Sequence, residues 1–140
     1  MDPNTPISEI MTRQVVTVKP NSALSRIHDL FTTHPFHHIV VLGDGKVVGM
    51  ISKTDYLRIQ HMISTTWSGV TIVQDLYCDM CAADIMSHHP VTVESADSVG
   101  LAADIFRSNS FHALPVVDEG ELVGIVTSHD LLNFAYQEPL

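Results

Sequence analysis

Apolar residues in this 140-residue chain change period in a fixed order, and that order predicts its elements. Leu24, Ile27 and Phe31 recur at three and four residues, the spacing of one helix face. Phe36 to Leu42 is instead almost continuously apolar and β-rich. Gly43-Asp44-Gly45 is a tight-turn signal, and Lys46 to Ile51 returns as a second strand. Strands this apolar belong to a sheet covered on both faces, here by helices. One helical turn is expected over Ile7 to Met11 and a short strand around Val15 to Val18. Ser22 or Asn21 is expected to cap the first long helix, which runs to about Thr33 before Pro35 breaks it. A further helix is expected after the hairpin, beginning near Lys53.

The same order then repeats, 75 positions later and without a gap. Glu9-Ile10-Met11 returns as Asp84-Ile85-Met86, and Val16-Thr17-Val18 as Val91-Thr92-Val93. The helix face Leu24, Ile27, Phe31 returns as Val99, Ala102, Phe106. Phe36-His37 returns as Phe111-His112, the second hairpin spans Phe111 to Val126, and its helix begins near Ser128. Repetition at fixed spacing means two copies of one structural unit, each about fifty residues long. A unit that small buries too little surface alone, so the copies are expected to pack together, with matching clefts between them. The segments are 1–66 for the first repeat with its N-terminal arm, 67–81 for an insert, and 82–140 for the second repeat. Within the insert, Ile72, Val73, Leu76, Tyr77 and Met80 recur at helical spacing.

Composition narrows the function. A net charge of −9 disfavours nucleic acid and anionic membrane as partners, because both need a basic surface. The longest apolar run, Ile39 to Leu42, is far short of the roughly 20 residues that span a bilayer. The first residues carry no basic start followed by an apolar stretch, so no signal peptide is expected. With two cysteines, this points to a cytoplasmic, reducing setting.

The chemistry concentrates where each hairpin meets its helix, in Gly49-x-x-Ser52-x-x-Asp55 and Gly124-x-x-Thr127-x-x-Asp130. Capping alone accounts for the hydroxyl and the acid: Ser52 or Thr127 as N-cap, and a carboxylate three residues on to complete a capping box. A binding reading starts from the same geometry. Glycine lets a ligand approach the backbone, and a helix N-terminus offers amides to anionic oxygens. A carboxylate there can accept from two neighbouring hydroxyls, as a ribose presents. Charge-assisted bonds of this kind contribute about 1.5–3 kcal/mol each.

With these motifs in register, the doubled unit resembles the cystathionine β-synthase (CBS) domain, and the pair is similar to a Bateman module. The features that carry it are Ile-Met near each start, Val-Thr-Val, Leu114-Pro115-Val116-Val117-Asp118, the glycine turn and Gly-x-x-Ser/Thr-x-x-Asp. The resemblance covers about residues 7–59 and 82–135. It implies an α/β fold of two pseudo-symmetric repeats, each a small mixed sheet flanked by helices. It also implies a regulatory module, not an enzyme, that binds AMP, ADP, ATP or S-adenosylmethionine between the repeats and signals by conformational or oligomeric change. By that similarity Asp55 and Asp130 hold ribose hydroxyls, with Ser52 and Thr127 near ribose or phosphate. Adenine would lie among apolar strand residues and backbone, for which Ile39, Ala113 and Leu114 are the candidates. His37 and His112 face phosphate in some relatives, and a partly buried strand histidine is the structural alternative. Lys53 lies inside the first motif, and no obligatory cofactor or metal is implied. The first copy departs from the pattern, with Val40 for the usual proline and Gly43 for an acidic residue. The second is therefore the better candidate for an occupied site. A homodimer and an unidentified effector protein are the implied partners.

Two other functions compete. A dimerisation scaffold would keep the fold without a ligand. A metal or thiol sensor would use Cys78-x-x-Cys81 with His88-His89, although that spacing lacks the four well-placed ligands of a structural zinc site. Ser128-His129-Asp130 contains the residue types of a catalytic triad, but consecutive residues in a helix's first turn cannot face one another.

Overall fold

The computed structural model describes residues 1–65 and 79–137. The expected order of elements is present. A 3-10 turn (Ile7–Glu9) precedes β1 (Thr17–Val18), α1 (Leu24–Thr33), β2 (His38–Gly43), β3 (Lys46–Ser52) and α2 (Lys53–Thr65). The second repeat contributes α3 (Ala82–Ile85), β4 (Ser87–His88), α4 (Val99–Ser108), β5 (Ala113–Asp118), β6 (Glu121–Thr127) and α5 (Ser128–Gln137). The fold is mixed α/β, and no helix among the described residues is long and apolar enough to cross a membrane. The expected amphipathic helix of the insert and Cys78 lie outside the described residues.

Both hairpins turn through two residues in the left-handed region, Asp44 (φ 51°) with Gly45 (φ 78°), and Glu119 (φ 50°) with Gly120 (φ 81°). Such paired turns match the twist of the flanking strands, which explains the acidic-glycine dipeptide in each copy. Helix α1 buries Leu24, Ile27 and Phe31, the face its periodicity predicted, and ends at Thr33 before Pro35. Its cap differs from expectation. The N-cap is Ala23, which makes no side-chain bond, while the Ser22 hydroxyl accepts from the Lys19 amide at 2.9 Å and closes the preceding turn. In the second copy the N-cap is Ser98, whose hydroxyl accepts from the Leu101 amide at 3.1 Å.

The chain forms two compact units, Val16–His89, and Met1–Val15 with Pro90–Leu140. In the first, strands lie in the order β1-β2-β3-β4, with β1 parallel to β2 and the other pairs antiparallel. Its core joins the α1 face to Ile39, Val41, Ile51, Tyr56, Ala82 and Ile85. Tyr56 is 1% exposed, and its hydroxyl meets His28 Nδ1 at 2.5 Å. In the second unit the hairpin β5-β6 has the same register as β2-β3. A parallel bridge from Val93 to Val116 stands where β1 stands, and an antiparallel bridge from Thr12 to Ile125 stands where β4 stands. Its core comprises Ile7, Met11, Val93, Ala102, Leu114, Val116 and Val126.

The opening segments are therefore exchanged: Ile7 and Met11 pack in the unit built on the second hairpin, and α3 and β4 in the unit built on the first. The Ile-Met pairs show why. A methyl group added to Gly124 would lie 2.8 Å from Met11 Sδ, and one added to Gly49 would lie 2.7 Å from Met86 Cγ. Each glycine makes room for the methionine that closes its unit.

Candidate functional site

Each junction passes from strand to helix with no intervening residue: β3 ends at Ser52 and α2 begins at Lys53, while β6 ends at Thr127 and α5 begins at Ser128. Local hydrogen bonds make this abrupt change possible. The Asp55 amide donates to Ser52 Oγ at 3.0 Å, and the Asp130 amide to Thr127 Oγ1 at 3.1 Å. In the second copy the Thr127 amide also donates to Asp130 Oδ2 at 3.0 Å, which completes a capping box. The adjoining strands supply the next acceptor. Lys53 N–H donates to the His37 carbonyl at 2.7 Å, and Ser128 N–H to the His112 carbonyl at 2.9 Å. The Lys53, Asp55, Ser128 and Asp130 amides are thus already bonded within the chain.

The two carboxylates differ in their company. Asp130 Oδ1 accepts from Thr12 Oγ1 at 3.3 Å, so a residue 118 positions earlier reaches the second junction. Asp55 Oδ1 instead lies 3.2 Å from Arg58 Nη1, an ion pair one turn along the same helix. Both carboxylates are half-buried, as are Ser52, Lys53 and Thr127. A carboxylate has about four lone-pair sites, so each retains capacity for a ligand hydroxyl.

The histidines sit beside these junctions, tethered through their carbonyls, with exposed side chains. That removes the partly buried strand histidine as an account of them. Ile39, Ala113 and Leu114 are nearly or completely buried, and Ile39 and Leu114 belong to the cores of their units. These side chains pack against protein. Gly49 and Gly124 likewise face methionine, so methionine packing explains why they are small.

Among the described residues no group of three or more His, Cys, Asp and Glu side chains could hold a metal. Cys81 caps α3, with its amide donating to Asp84 Oδ2 at 2.8 Å and its Sγ 3.4 Å from the same oxygen. These bonds, the amide first, hold the Asp84 carboxyl below its ordinary range. Sequence reasoning missed Thr12 and Arg58. Arg58 was signalled by its i, i+3 spacing from Asp55. Thr12 carried no comparable signal.

A family model described as the CBS domain matches residues 7–61 and 82–136, most of the chain. The protein MJ1225 of Methanocaldococcus jannaschii is 28% identical over 96% of this chain, which spans 48% of that protein. The chain spans about half the length of the first curated relatives it matches. The crystal structure of MJ1225 matches with a TM-score of 0.79 at 26% identity, covering 96% of this chain and 49% of that one. The structure of CBSX2 in complex with AMP matches at 0.77 and 24% identity, covering 94% of this chain and 96% of that one. CBSX2, in its Arabidopsis thaliana crystal structure, is 25% identical, with a TM-score of 0.76 and 96% of both chains covered. The CBS domain pair of MJ0100, in complex with 5′-methylthioadenosine and S-adenosyl-L-methionine, gives 0.77 at 22% identity over 97% of this chain and 100% of that one. With two matched repeats in register and the strand-to-helix junctions in both, the chain belongs to the CBS-domain family as a domain pair.

Proposed function

We propose that this chain is a regulatory module that binds an adenosine-containing ligand at its strand-to-helix junctions and converts binding into a conformational or oligomeric change. The observation that carries the reading is the Asp130 carboxylate: half-buried, fixed by Thr12 and the Thr127 amide, yet with acceptor capacity remaining on both oxygens. A ribose diol supplies the donors that such an acceptor lacks. Asp55 plays the same part in the first copy, with Ser52 and Thr127 near the sugar. Lys53 and the exposed His37 are the side chains to meet a phosphate at the first junction, and the exposed His112 stands beside the second. Adenine would be read through backbone near Ile39, Ala113 and Leu114, where Ala113 is directly opposite Thr127 in the strand register. The adenosine ligands of CBSX2 and MJ0100 support this class of ligand. A homodimer in the cytoplasm, acting on an effector protein, completes the proposal. Leu57 and Leu132, equivalent positions on α2 and α5, are both exposed and suit such an assembly.

Thermal unfolding against AMP, ADP, ATP, S-adenosylmethionine and 5′-methylthioadenosine tests the reading. A ligand at a hundred times its dissociation constant stabilises the fold by about 2.7 kcal/mol. Asp130→Ala is expected to remove most of that shift for a ligand at the second junction while the free protein stays folded. The closed capping box at Thr127 and Asp130 favours a second reading, a scaffold without a ligand. On that reading no adenosine compound shifts the wild type, and Asp130→Ala only weakens the helix start, by about 1 kcal/mol.

A further inference from the structure

The two junctions share a geometry but not a charge. From Ser52 to Arg58 the first carries Lys53, Asp55 and Arg58, two cations to one anion. From Thr127 to Asn133 the second carries Asp130 with only His129 as a further titratable group. Asn133 stands where the first copy has Arg58. The donors on Asp130, the Thr12 hydroxyl and the Thr127 amide, are both uncharged. Arg13, next to Thr12, sends its Nη2 to the Ser8 carbonyl at 3.2 Å.

We infer, building on the function proposed above, that the junctions sort adenosine ligands by charge. The Ser52 junction takes the phosphorylated ligand, with Arg58 as a specificity-determining cation, and the Thr127 junction takes an uncharged adenosine thioether. The Arg58–Asp55 pair is exposed enough to open, with the two side chains 67% and 41% accessible. When a nucleotide arrives, the guanidinium can turn from Asp55 to the phosphate, where its planar fork finds two oxygens. That turn frees Oδ1 of Asp55 for a ribose hydroxyl. Charges act on one another within a Debye length of about 8 Å at physiological salt, a distance that includes the 5′-phosphate of a ribose held nearby. At the second junction a phosphate would meet the Asp130 carboxylate without a cation in the same turn, whereas a thioether brings no like charge.

Calorimetric titration of the full chain with AMP and with 5′-methylthioadenosine tests this, at about pH 8 so that histidine is neutral. Arg58→Gln is expected to weaken AMP about two- to fivefold, as for an exposed charge contact, and to lower the AMP-to-thioether affinity ratio. It also flattens the loss of AMP affinity between about 0.1 M and 1 M salt. Lys46→Gln removes the same charge at the far end of β3 and leaves AMP binding unchanged. Asp55→Asn impairs AMP more than the thioether, and Asp130→Asn does the reverse. Wild-type AMP affinity and salt slope in Arg58→Gln overturn the inference, as does AMP binding lost in Asp130→Asn but kept in Asp55→Asn. In both results nucleotide binding survives in the wild type, so the proposed function stands. If the wild type binds neither compound, the proposed function falls and takes this inference with it.

Discussion

Gly124→Ala tests the claim that a methionine, not a ligand, explains the glycine of the second motif. The added methyl would lie 2.8 Å from Met11 Sδ, 3.2 Å from Met11 Cγ and 2.9 Å from the Thr12 carbonyl oxygen. Non-bonded carbons prefer separations of about 3.5–4.0 Å, so all three contacts are too short. A methionine can rotate away, but the Thr12 carbonyl cannot follow. It accepts from the Ile125 amide at 2.9 Å, and the Thr12 amide donates back to Ile125 at 2.8 Å. Overpacking of this kind costs about 1–3 kcal/mol. At roughly 4 °C per kcal/mol for a domain of this size, the melting temperature falls by about 4–12 °C. Displacing Thr12 also strains its bond to Asp130, so the ligand-induced shift should shrink as well. Differential scanning calorimetry of Gly124→Ala, Met11→Ala and the double variant checks the argument. Met11→Ala alone leaves a cavity and costs about 2–5 kcal/mol. In the double variant the two contacts with Met11 are gone and only the Thr12 carbonyl contact remains, so the combined loss should be less than the sum. Additive losses, or a single Gly124→Ala variant melting within a degree of wild type, would refute the packing account.

Tyr56→Phe keeps the ring in the core but deletes its bond to His28, and chemical denaturation should register a loss of about 0.5–1.5 kcal/mol. Ser98→Ala removes the N-cap of α4 and is expected to lower stability by about 1 kcal/mol in the same assay, whereas Ala23→Gly at the uncapped start of α1 should be nearly neutral. The Asp118 carboxyl is held below its ordinary range by the Ser95 hydroxyl at 2.5 Å and then the Ser95 amide at 2.9 Å. A depressed folded-state value means its contribution is present above the unfolded value of about 3.9 and disappears as pH falls through the folded value. Acid titration followed by circular dichroism should therefore show less pH dependence below about pH 4 in Asp118→Asn than in wild type.

Local pattern made much of the fold legible. The buried face of α1, its end before Pro35 and both hairpin turns follow from residues a few positions apart, where spacing alone decides which side chains share a face. The Ser22 cap failed for an equally local reason, because a nearby amide, that of Lys19, captured its hydroxyl first. What the chain could not disclose was pairing across distance. Repetition shows that Met11 corresponds to Met86, yet it does not show that Met11 serves the second hairpin and Met86 the first. Thr12 was invisible at the site for the same reason. Ile39 and Leu114 were read correctly as apolar strand residues, but an apolar character does not say whether a side chain meets protein or ligand. The acid and hydroxyl of each junction were found because their three-residue spacing is itself the geometry of a helix start.

The exchange of opening segments bears on how such a gene can change. A stretch of coding sequence beginning at the second repeat would carry the α3–β4 segment that closes the first hairpin and lack the Met11 segment that closes its own. Recombination that moved one repeat alone would deliver a sheet with a missing edge and a glycine facing nothing. The inheritable module is the pair, and substitutions at Met11 and Gly124, or at Met86 and Gly49, must be tolerated together or not at all.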